Sequence, residues 1–230
     1  MIAATSGGLG DIVYSIPILK ELKVKTLYVK ESYYFHPYGN LYTSIKRLVE
    51  QHDIACLPTD GKYPPHEYHP DLRFDFDLDL ARKERHRGTN HIIKSYLNCF
   101  KLDIDYKKPF LSVTGYSPIS KPYSIIQRTP RWRQRSKVDW KTIIPKIEYP
   151  VFVGFLDEYY DFCKVTGSNI PCYGCDDILD MAVLIRDCEA FYGNQSVGLT
   201  LAQGLGKKYF LERNPGKTNA IMKTPNENIL

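Results

Sequence analysis

Two short stretches of the chain combine a polar, glycine-containing turn with the start of a helix, a local structure that commonly holds phosphate groups. The first is residues 6–11, Ser-Gly-Gly-Leu-Gly-Asp, between a short apolar run and an amphipathic segment. The second is residues 194–206, where Asn194 and Ser196 are of types that favour helix starts. Each turn would direct backbone N–H groups and the positive end of a helix dipole at a ligand. The sequence therefore predicts two anion-binding turns, one in each half.

Strands that alternate with helices must position these turns. Apolar residues recur at helical spacing between short apolar runs that are typical of buried strands. The predicted strands are residues 2–5, 26–29, 54–57, 74–80, 123–126, 151–155, a run near 191, and 208–212. The predicted helices are residues 12–22, 41–49, 92–100, 140–147, 158–162, 178–186 and 196–206. Pro17 is expected to delay or kink the first helix, which then starts near Tyr14 or Ser15.

The alternation predicts an α/β protein with two facing Rossmann-like domains and parallel sheets, in which ligands bind at the carboxyl ends of the strands. A segment rich in proline, residues 107–122, separates the two sets of elements. The predicted domains are therefore residues 1–118 and 119–230. The tail beyond residue 214 is expected to be rich in turns.

Composition excludes some classes of protein. The chain has 230 residues and a formal net charge of +5, which suits an anionic ligand without requiring nucleic acid. It has neither an apolar run of the ~20 residues that cross a bilayer nor the start of a signal peptide, which predicts a cytoplasmic location. The cysteine pair Cys172 and Cys175 lacks the second pair that a zinc site needs, which favours reduced thiols.

The segment from Gly10 to Pro17, Gly-Asp-Ile-Val-Tyr-Ser-Ile-Pro, resembles the N-terminal motif of the ADP-heptose:lipopolysaccharide heptosyltransferases, glycosyltransferase family 9. Residues 125–140, 151–158 and 180–206 are similar to later motifs of that family, in the same order. The resemblance spans nearly the whole chain and implies a GT-B arrangement of the two Rossmann-like domains. Three positions depart from the family pattern: Gln195, Val197 and Thr200 stand where Asp, Gly and His are usual.

The resemblance implies a metal-independent glycosyltransferase that uses a nucleotide-diphosphate sugar as co-substrate and has no other cofactor. In this interpretation Asp11 is the general base, and Lys137 is the cation that offsets charge on the leaving diphosphate. The donor-binding residues would be Gly8, Gly10, Arg128, Glu158, Asn194, Ser196, Gly198 and Thr200. Structural interpretations stand beside these roles: acidic residues favour first turns of helices, and the basic run 128–137 is also typical of a solvated loop.

Two other functions stay open. A nucleotide-sugar-binding protein without catalysis would fit the departures at Gln195 and Thr200. A glycosyltransferase that acts on nucleic acid would fit the basic run and the 18 tyrosines. The acceptor can thus be a glycan, a lipid-linked glycan or a nucleic acid, and the oligomeric state is not predicted. Alternating Asp75, Asp77 and Asp79 predict a solvated strand face rather than a metal site.

Overall fold

The structure is a computed structural model that describes residues 1–31, 40–59, 74–81, 91–130, 138–214 and 224–230. Lys137 and most of the basic run lie outside the described residues, as does the loop that follows the third predicted strand. Within the described ranges, no helix has the length and apolar character needed to cross a membrane.

The first half forms a parallel sheet. Its strands are β1 (Ile2–Thr5), β2 (Thr26–Lys30), β3 (Ala55–Thr59) and β4 (Phe76–Asp77), in the order β3-β2-β1-β4. Its helices are α1 (Leu9–Glu21), α2 (Leu41–Glu50) and α3 (Ile92–Phe100). Every pairing is parallel, so the chain returns through a crossover between paired strands, and the carboxyl ends of the strands share one edge.

The second half forms a parallel sheet of six strands. These are β5 (Ser124–Gln127), β6 (Pro150–Val153), β7 (Cys172–Tyr173), β8 (Ala190–Gly193), β9 (Tyr209–Leu211) and β10 (Glu227–Ile229). The helices are α4 (Trp140–Ile143), α5 (Leu156–Thr166), α6 (Ile178–Asp187) and α7 (Val197–Gly204), with a 3₁₀ turn at Ile144–Lys146. The strand order is β7-β6-β5-β8-β9-β10. The chain adds β6 and β7 on one side of β5, and then β8, β9 and β10 on the other side.

Both sheets confirm the predicted α/β class with parallel sheets, but several local predictions are wrong. Helix α1 begins at Leu9 and continues through Pro17. Its core residues, including Ile12 and Ile16, are fully buried, and that burial offsets the ~3 kcal/mol that an internal proline costs. The tail predicted to be turns contains β10, which pairs with β9.

The predicted strand 74–80 is also too long. Only Phe76–Asp77 pairs with β1, and residues 78–81 are helical. Asp79 is buried rather than solvated, because its carboxylate accepts a backbone hydrogen bond from Ser6. Local alternation therefore located the strand, and the prediction of a solvated face is wrong at Asp79 but not at the exposed Asp75.

The two halves meet along pairs of helices. Helix α1 packs on α7, and α2 packs on α6. The Tyr14 hydroxyl of α1 donates a hydrogen bond to the Gln203 side chain of α7. On the second contact, Arg47 Nη1 lies 3.0 Å from Asp177 and 3.2 Å from Asp180. The cleft between the sheets is therefore closed at its base by helix packing.

The predicted linker lies against the second half for much of its length. The N–H groups of Phe110 and Leu111 both donate to the Gly204 carbonyl at the end of α7. The Arg186 side chain of α6 donates to the carbonyls of Val113 and Gly115. The domain boundary at residues 118 and 119 stays a prediction.

Candidate functional site

A crevice opens where the second sheet reverses its strand order. The chain moves from β5 to β6 and β7 on one side, and to β8, β9 and β10 on the other. Parallel sheets bind ligands outside the carboxyl ends of the two strands at such a switch point. Here those ends are Gln127 of β5 and Gly193 of β8, which pair in register.

Gln127 organises the turn that leads into α7. Its side-chain oxygen Oε1 accepts hydrogen bonds from Ser196 Oγ at 2.7 Å and from the Gly198 N–H at 3.0 Å. Ser196 is the N-cap of α7, but the capping oxygen for its first turn comes from Gln127. Gln127 was not among the predicted site residues, although a polar residue that ends the apolar run Ile125-Ile126 was a usable signal.

Two of the first three N–H groups of α7 have no acceptor among the described residues. These are the N–H groups of Val197, which is partly exposed, and of Leu199, which is buried, whereas Gly198 donates to Gln127. An anion above this turn would meet the Val197 N–H together with the positive end of the helix dipole. The Ser196 hydroxyl lies at the same turn and is partly exposed.

Gly198 has a packing role that the sequence did not reveal. A Cβ at this position would overlap the Gln127 side-chain oxygen and would lie 2.9 Å from Phe191 Cε2. Only glycine therefore allows the helix start to approach the end of β5. Donor binding by Gly198 stays a prediction, and the constraint that the contacts show is close packing.

Asn194 joins the two strand ends instead of facing the crevice. Its side chain is fully buried, accepts a hydrogen bond from the Thr129 N–H at 3.2 Å and donates one to the Thr129 carbonyl at 2.8 Å. The Asn194 amide thus forms hydrogen bonds with both the N–H and the carbonyl of Thr129. This pairing holds the start of the loop that carries the basic run.

The structure places Arg128 in a buried ion pair. Its guanidinium donates to both carboxylate oxygens of Glu212, at 2.7 and 3.0 Å, and Trp140 Nε1 donates to the same carboxylate at 3.1 Å. Arg128 is 6% exposed and Glu212 is fully buried. The charge of Arg128 is therefore neutralised by Glu212, and the contacts connect the ends of β5 and β9; donor binding by Arg128 stays a prediction.

Glu158 lies in the first turn of α5, where its carboxylate accepts a hydrogen bond from the Phe155 N–H at 3.4 Å. The residue is buried. This contact fits the alternative interpretation that the acid begins its helix. A contact with a donor ribose stays a prediction.

The start of α1 faces the start of α7. A Cβ on Gly10 would lie 3.2 Å from Thr200 Oγ1 and 4.0 Å from Val197 Cα, so the two helices approach closely at this glycine. Thr200 is 2% exposed and donates to the Ser196 carbonyl at 3.4 Å. Thr200 therefore contributes to the helix contact, and the two predicted turns are brought together.

Two predicted residues of the first turn are more open. Gly8 is exposed, and a Cβ there would meet no atom within 4 Å. Asp11 lies in the first turn of α1 and is partly exposed, and its backbone carbonyl accepts a hydrogen bond from the Tyr96 hydroxyl at 3.3 Å. Asp11 thus lies in the helix turn that approaches the start of α7, and its role as a base stays a prediction.

Burial raises the pKa of two side chains near the contact between the two halves, Tyr14 and Cys175. Burial raises the pKa of Tyr14 well above its usual range, so this tyrosine stays a neutral hydrogen-bond donor between α1 and α7. Burial, with the nearby carboxylates led by Asp180, raises the pKa of the Cys175 thiol to about 12. Cys172 and Cys175 are both free thiols. Among the described residues, no cluster of His, Cys, Asp and Glu side chains could hold a metal ion.

These two sheets and their facing helices define a GT-B-like fold, and solved structures agree. A glycosyl transferase family 9 structure from Veillonella parvula DSM 2008 has a TM-score of 0.66 at 12% identity, over 100% of this chain and 84% of its own. The E. coli ADP-heptose LPS heptosyltransferase II has a TM-score of 0.66 at 12% identity, over 100% of this chain and 89% of its own.

A third structure is the iron-containing heptosyltransferase TibC in complex with ADP-D-β-D-heptose, with a TM-score of 0.60 at 14% identity, over 99% of this chain and 62% of that one. No protein-family model matches this sequence, and a search of curated proteins finds no significant match. The comparisons confirm the GT-B-like fold and its heptosyltransferase-like architecture.

Proposed function

We propose that this protein is a metal-independent glycosyltransferase that moves a sugar from a nucleotide-diphosphate donor to an acceptor hydroxyl. The observation that supports this most strongly is the convergence of the α1 and α7 helix starts beside the switch point of the second sheet. One helix carries the partly exposed Asp11, and the first turn of the other has the partly exposed Val197, whose N–H has no acceptor among the described residues. This arrangement supports the proposal of a base and an anion site beside one cleft.

In the proposed reaction the donor diphosphate lies above the first turn of α7. The acceptor oxygen attacks the anomeric carbon, the bond from that carbon to the diphosphate oxygen breaks, and the acceptor proton passes to the Asp11 carboxylate. The Val197 N–H and the positive end of the α7 dipole stabilise charge on the departing diphosphate, while Gln127 holds the Ser196 hydroxyl at the same turn. Fixed donors of this type are each worth ~10²–10³ in rate.

Lys137 is the proposed cation for the leaving group, and the ion pair of Arg128 supports this choice. Because Arg128 is neutralised by Glu212, it holds the framework of the donor site rather than the diphosphate. Thr129, which Asn194 holds in place, begins the loop that leads to Lys137. We further propose domains at residues 1–118 and 119–230, with the nucleotide sugar bound mainly by the second.

One observation favours a second candidate, a nucleotide-sugar-binding protein without turnover. Thr200, which stands where the resembled family usually has histidine, is buried against α1 and hydrogen-bonded within its own helix. It offers no ionisable group to the cleft. This candidate predicts donor binding that is unaffected by loss of the Asp11 carboxylate and is never followed by release of a nucleoside diphosphate.

The test is a thermal-shift screen of the purified chain against ADP-, UDP-, GDP-, CMP- and dTDP-linked sugars, followed by a turnover assay with the donor selected. A ligand at 100 times its Kd adds about 2.7 kcal/mol of stability. One nucleotide should stabilise the chain selectively, and both Ser196→Ala and Lys137→Ala should weaken that effect.

Asp11→Asn should bind the donor normally but release nucleoside diphosphate at least ~10²-fold more slowly. Lys208 is exposed and directly precedes β9, so Lys208→Ala is the control for the loss of a positive charge in Lys137→Ala. Absence of stabilisation by every nucleotide sugar would contradict the proposed donor class. Binding with normal turnover in Asp11→Asn would contradict the proposed base.

A further inference from the structure

Asp79 is a buried carboxylate beside the first glycine-containing turn. The pairing of β1 with β4 aligns Ala4 with Asp77, so two residues further on Asp79 lies beside Ser6. Its Oδ2 accepts a hydrogen bond from the Ser6 N–H at 2.8 Å. Asp79 is 4% exposed, and its own N–H donates to Asp77 Oδ1 at 2.8 Å.

A second acceptor holds the next residue of the turn. The Gly7 N–H donates to Thr5 Oγ1 at 3.0 Å, and Thr5 is buried at the end of β1. The N–H groups of Ser6 and Gly7 are thus directed back into the protein. A buried carboxylate beneath them also disfavours an anion above them. The Ser6 and Gly7 N–H groups are therefore satisfied within the protein and hold the turn in place.

The same contacts fix where α1 begins. The turn runs from Ser6 to Gly8, whose carbonyl accepts the hydrogen bond from the Ile12 N–H at 3.0 Å. Asp11 lies within this first helical turn. A displacement of the turn would therefore move the Asp11 carboxylate relative to the α7 helix start.

We propose that Asp79 is a positioning residue for Asp11. This inference rests on the proposed transferase function. A charge-assisted hydrogen bond is roughly twice as strong as a neutral one, which suits a carboxylate to this task. A misplacement of about 1 Å at a reacting group can cost ~10²-fold in rate.

Asp75 provides a matched control. Its Oδ2 accepts a hydrogen bond from the Ile2 N–H at 2.7 Å, at the opposite end of the same strand β1. Asp75 is exposed and lies far along the strand from the turn and from Asp11. Asp75→Ala thus removes the same kind of bond from the same strand without touching the turn.

The experiment compares Asp79→Ala, Asp79→Asn and Asp75→Ala by steady-state kinetics with the selected nucleotide sugar. Asp79→Ala should lower kcat by ~10²-fold while the donor KM changes by less than about twofold, because the donor binds elsewhere. Asp79→Asn should recover part of kcat, since its amide oxygen can still accept from Ser6. Equal kcat in Asp79→Ala and Asp75→Ala, or an effect confined to the donor KM, would overturn the proposal.

Amide hydrogen exchange tests the placement of the turn without relying on turnover. In the wild-type chain the amides of Ser6 and Gly7 should exchange more slowly than that of Gly8, and Asp79→Ala should accelerate exchange at Ser6. Fast exchange at Ser6 in the wild-type chain would overturn the positioning role even if Asp79→Ala does not fold. Slow exchange at Ser6 in a chain that turns over no nucleotide sugar would instead place the failure in the proposed function.

Discussion

The buried pair of Arg128 and Glu212 gives a sharp prediction about stability. Glu212 is fully buried and receives three hydrogen bonds, two from Arg128 and one from Trp140. Glu212→Gln keeps the shape of the side chain but leaves the Arg128 cation without its counter-charge. Removal of one partner from a buried ion pair typically costs about 3–5 kcal/mol.

For a chain of this size each kcal/mol corresponds to about 2–4 °C in Tm. Glu212→Gln should therefore lower Tm by about 6 to 20 °C, measured by calorimetry and by urea unfolding followed by circular dichroism. The double variant with Arg128→Met and Glu212→Leu should lower Tm by less than Glu212→Gln does, because it leaves no buried charge unpaired.

The matched control is the exposed pair of Arg186 and Asp187, in which the carboxylate side chain is 34% exposed. Asp187→Asn should cost less than about 1 kcal/mol. If Glu212→Gln shifts Tm no more than Asp187→Asn does, the pair is not the buried anchor that the contacts indicate. The assignment of Arg128 to the framework would then be refuted.

Three further predictions concern separate contacts. Burial, with a smaller contribution from the charge of Lys20, lowers the pKa of His52 to about 4, so the unfolded chain binds more protons between pH 6.5 and 4. The free energy of unfolding should therefore fall as pH drops through this window. In urea titrations His52→Gln should make this free energy less dependent on pH. The same pH dependence in His52→Gln and wild type would contradict the role of His52. Tyr14→Phe removes the bond between α1 and α7 and should cost about 1 kcal/mol, seen as a lower Tm; an unaltered Tm would count against this contact. Gly198→Ala should destabilise the chain by about 1–3 kcal/mol through overlap with its neighbours. Gly174→Ala, where a Cβ meets nothing within 4 Å, should be close to neutral, and equal losses in both glycine variants would exclude the packing explanation.

The spacing of apolar residues along the sequence was sufficient to predict the α/β architecture. Apolar runs and helical spacing located most strands and helices, and the two glycine-containing turns were predicted at the helix starts that meet in the cleft. These features depend on residues close in sequence, whose spacing reports secondary structure directly. The identity of Ser196 as the N-cap of α7 followed in the same way.

The contacts that define the site were less predictable, because they join residues distant in sequence. Arg128 and Glu212 are 84 residues apart, and Ser6 and Asp79 are 73 apart. Arg128 was predicted as a donor-binding residue in a basic run, and local spacing could not show that Glu212 is its partner. Pro17 was expected to delay α1, but tertiary burial of the helix outweighed its local cost.

The most direct test of the proposed donor site is hydrogen exchange measured with and without the nucleotide sugar selected by thermal shift. Saturation should slow exchange in residues 196–200, at the start of α7, with little change in residues 6–8. This outcome would place the diphosphate at the helix start beside the β5 and β8 strand ends. Protection confined to residues 6–8, with none at residues 196–200, would contradict the account.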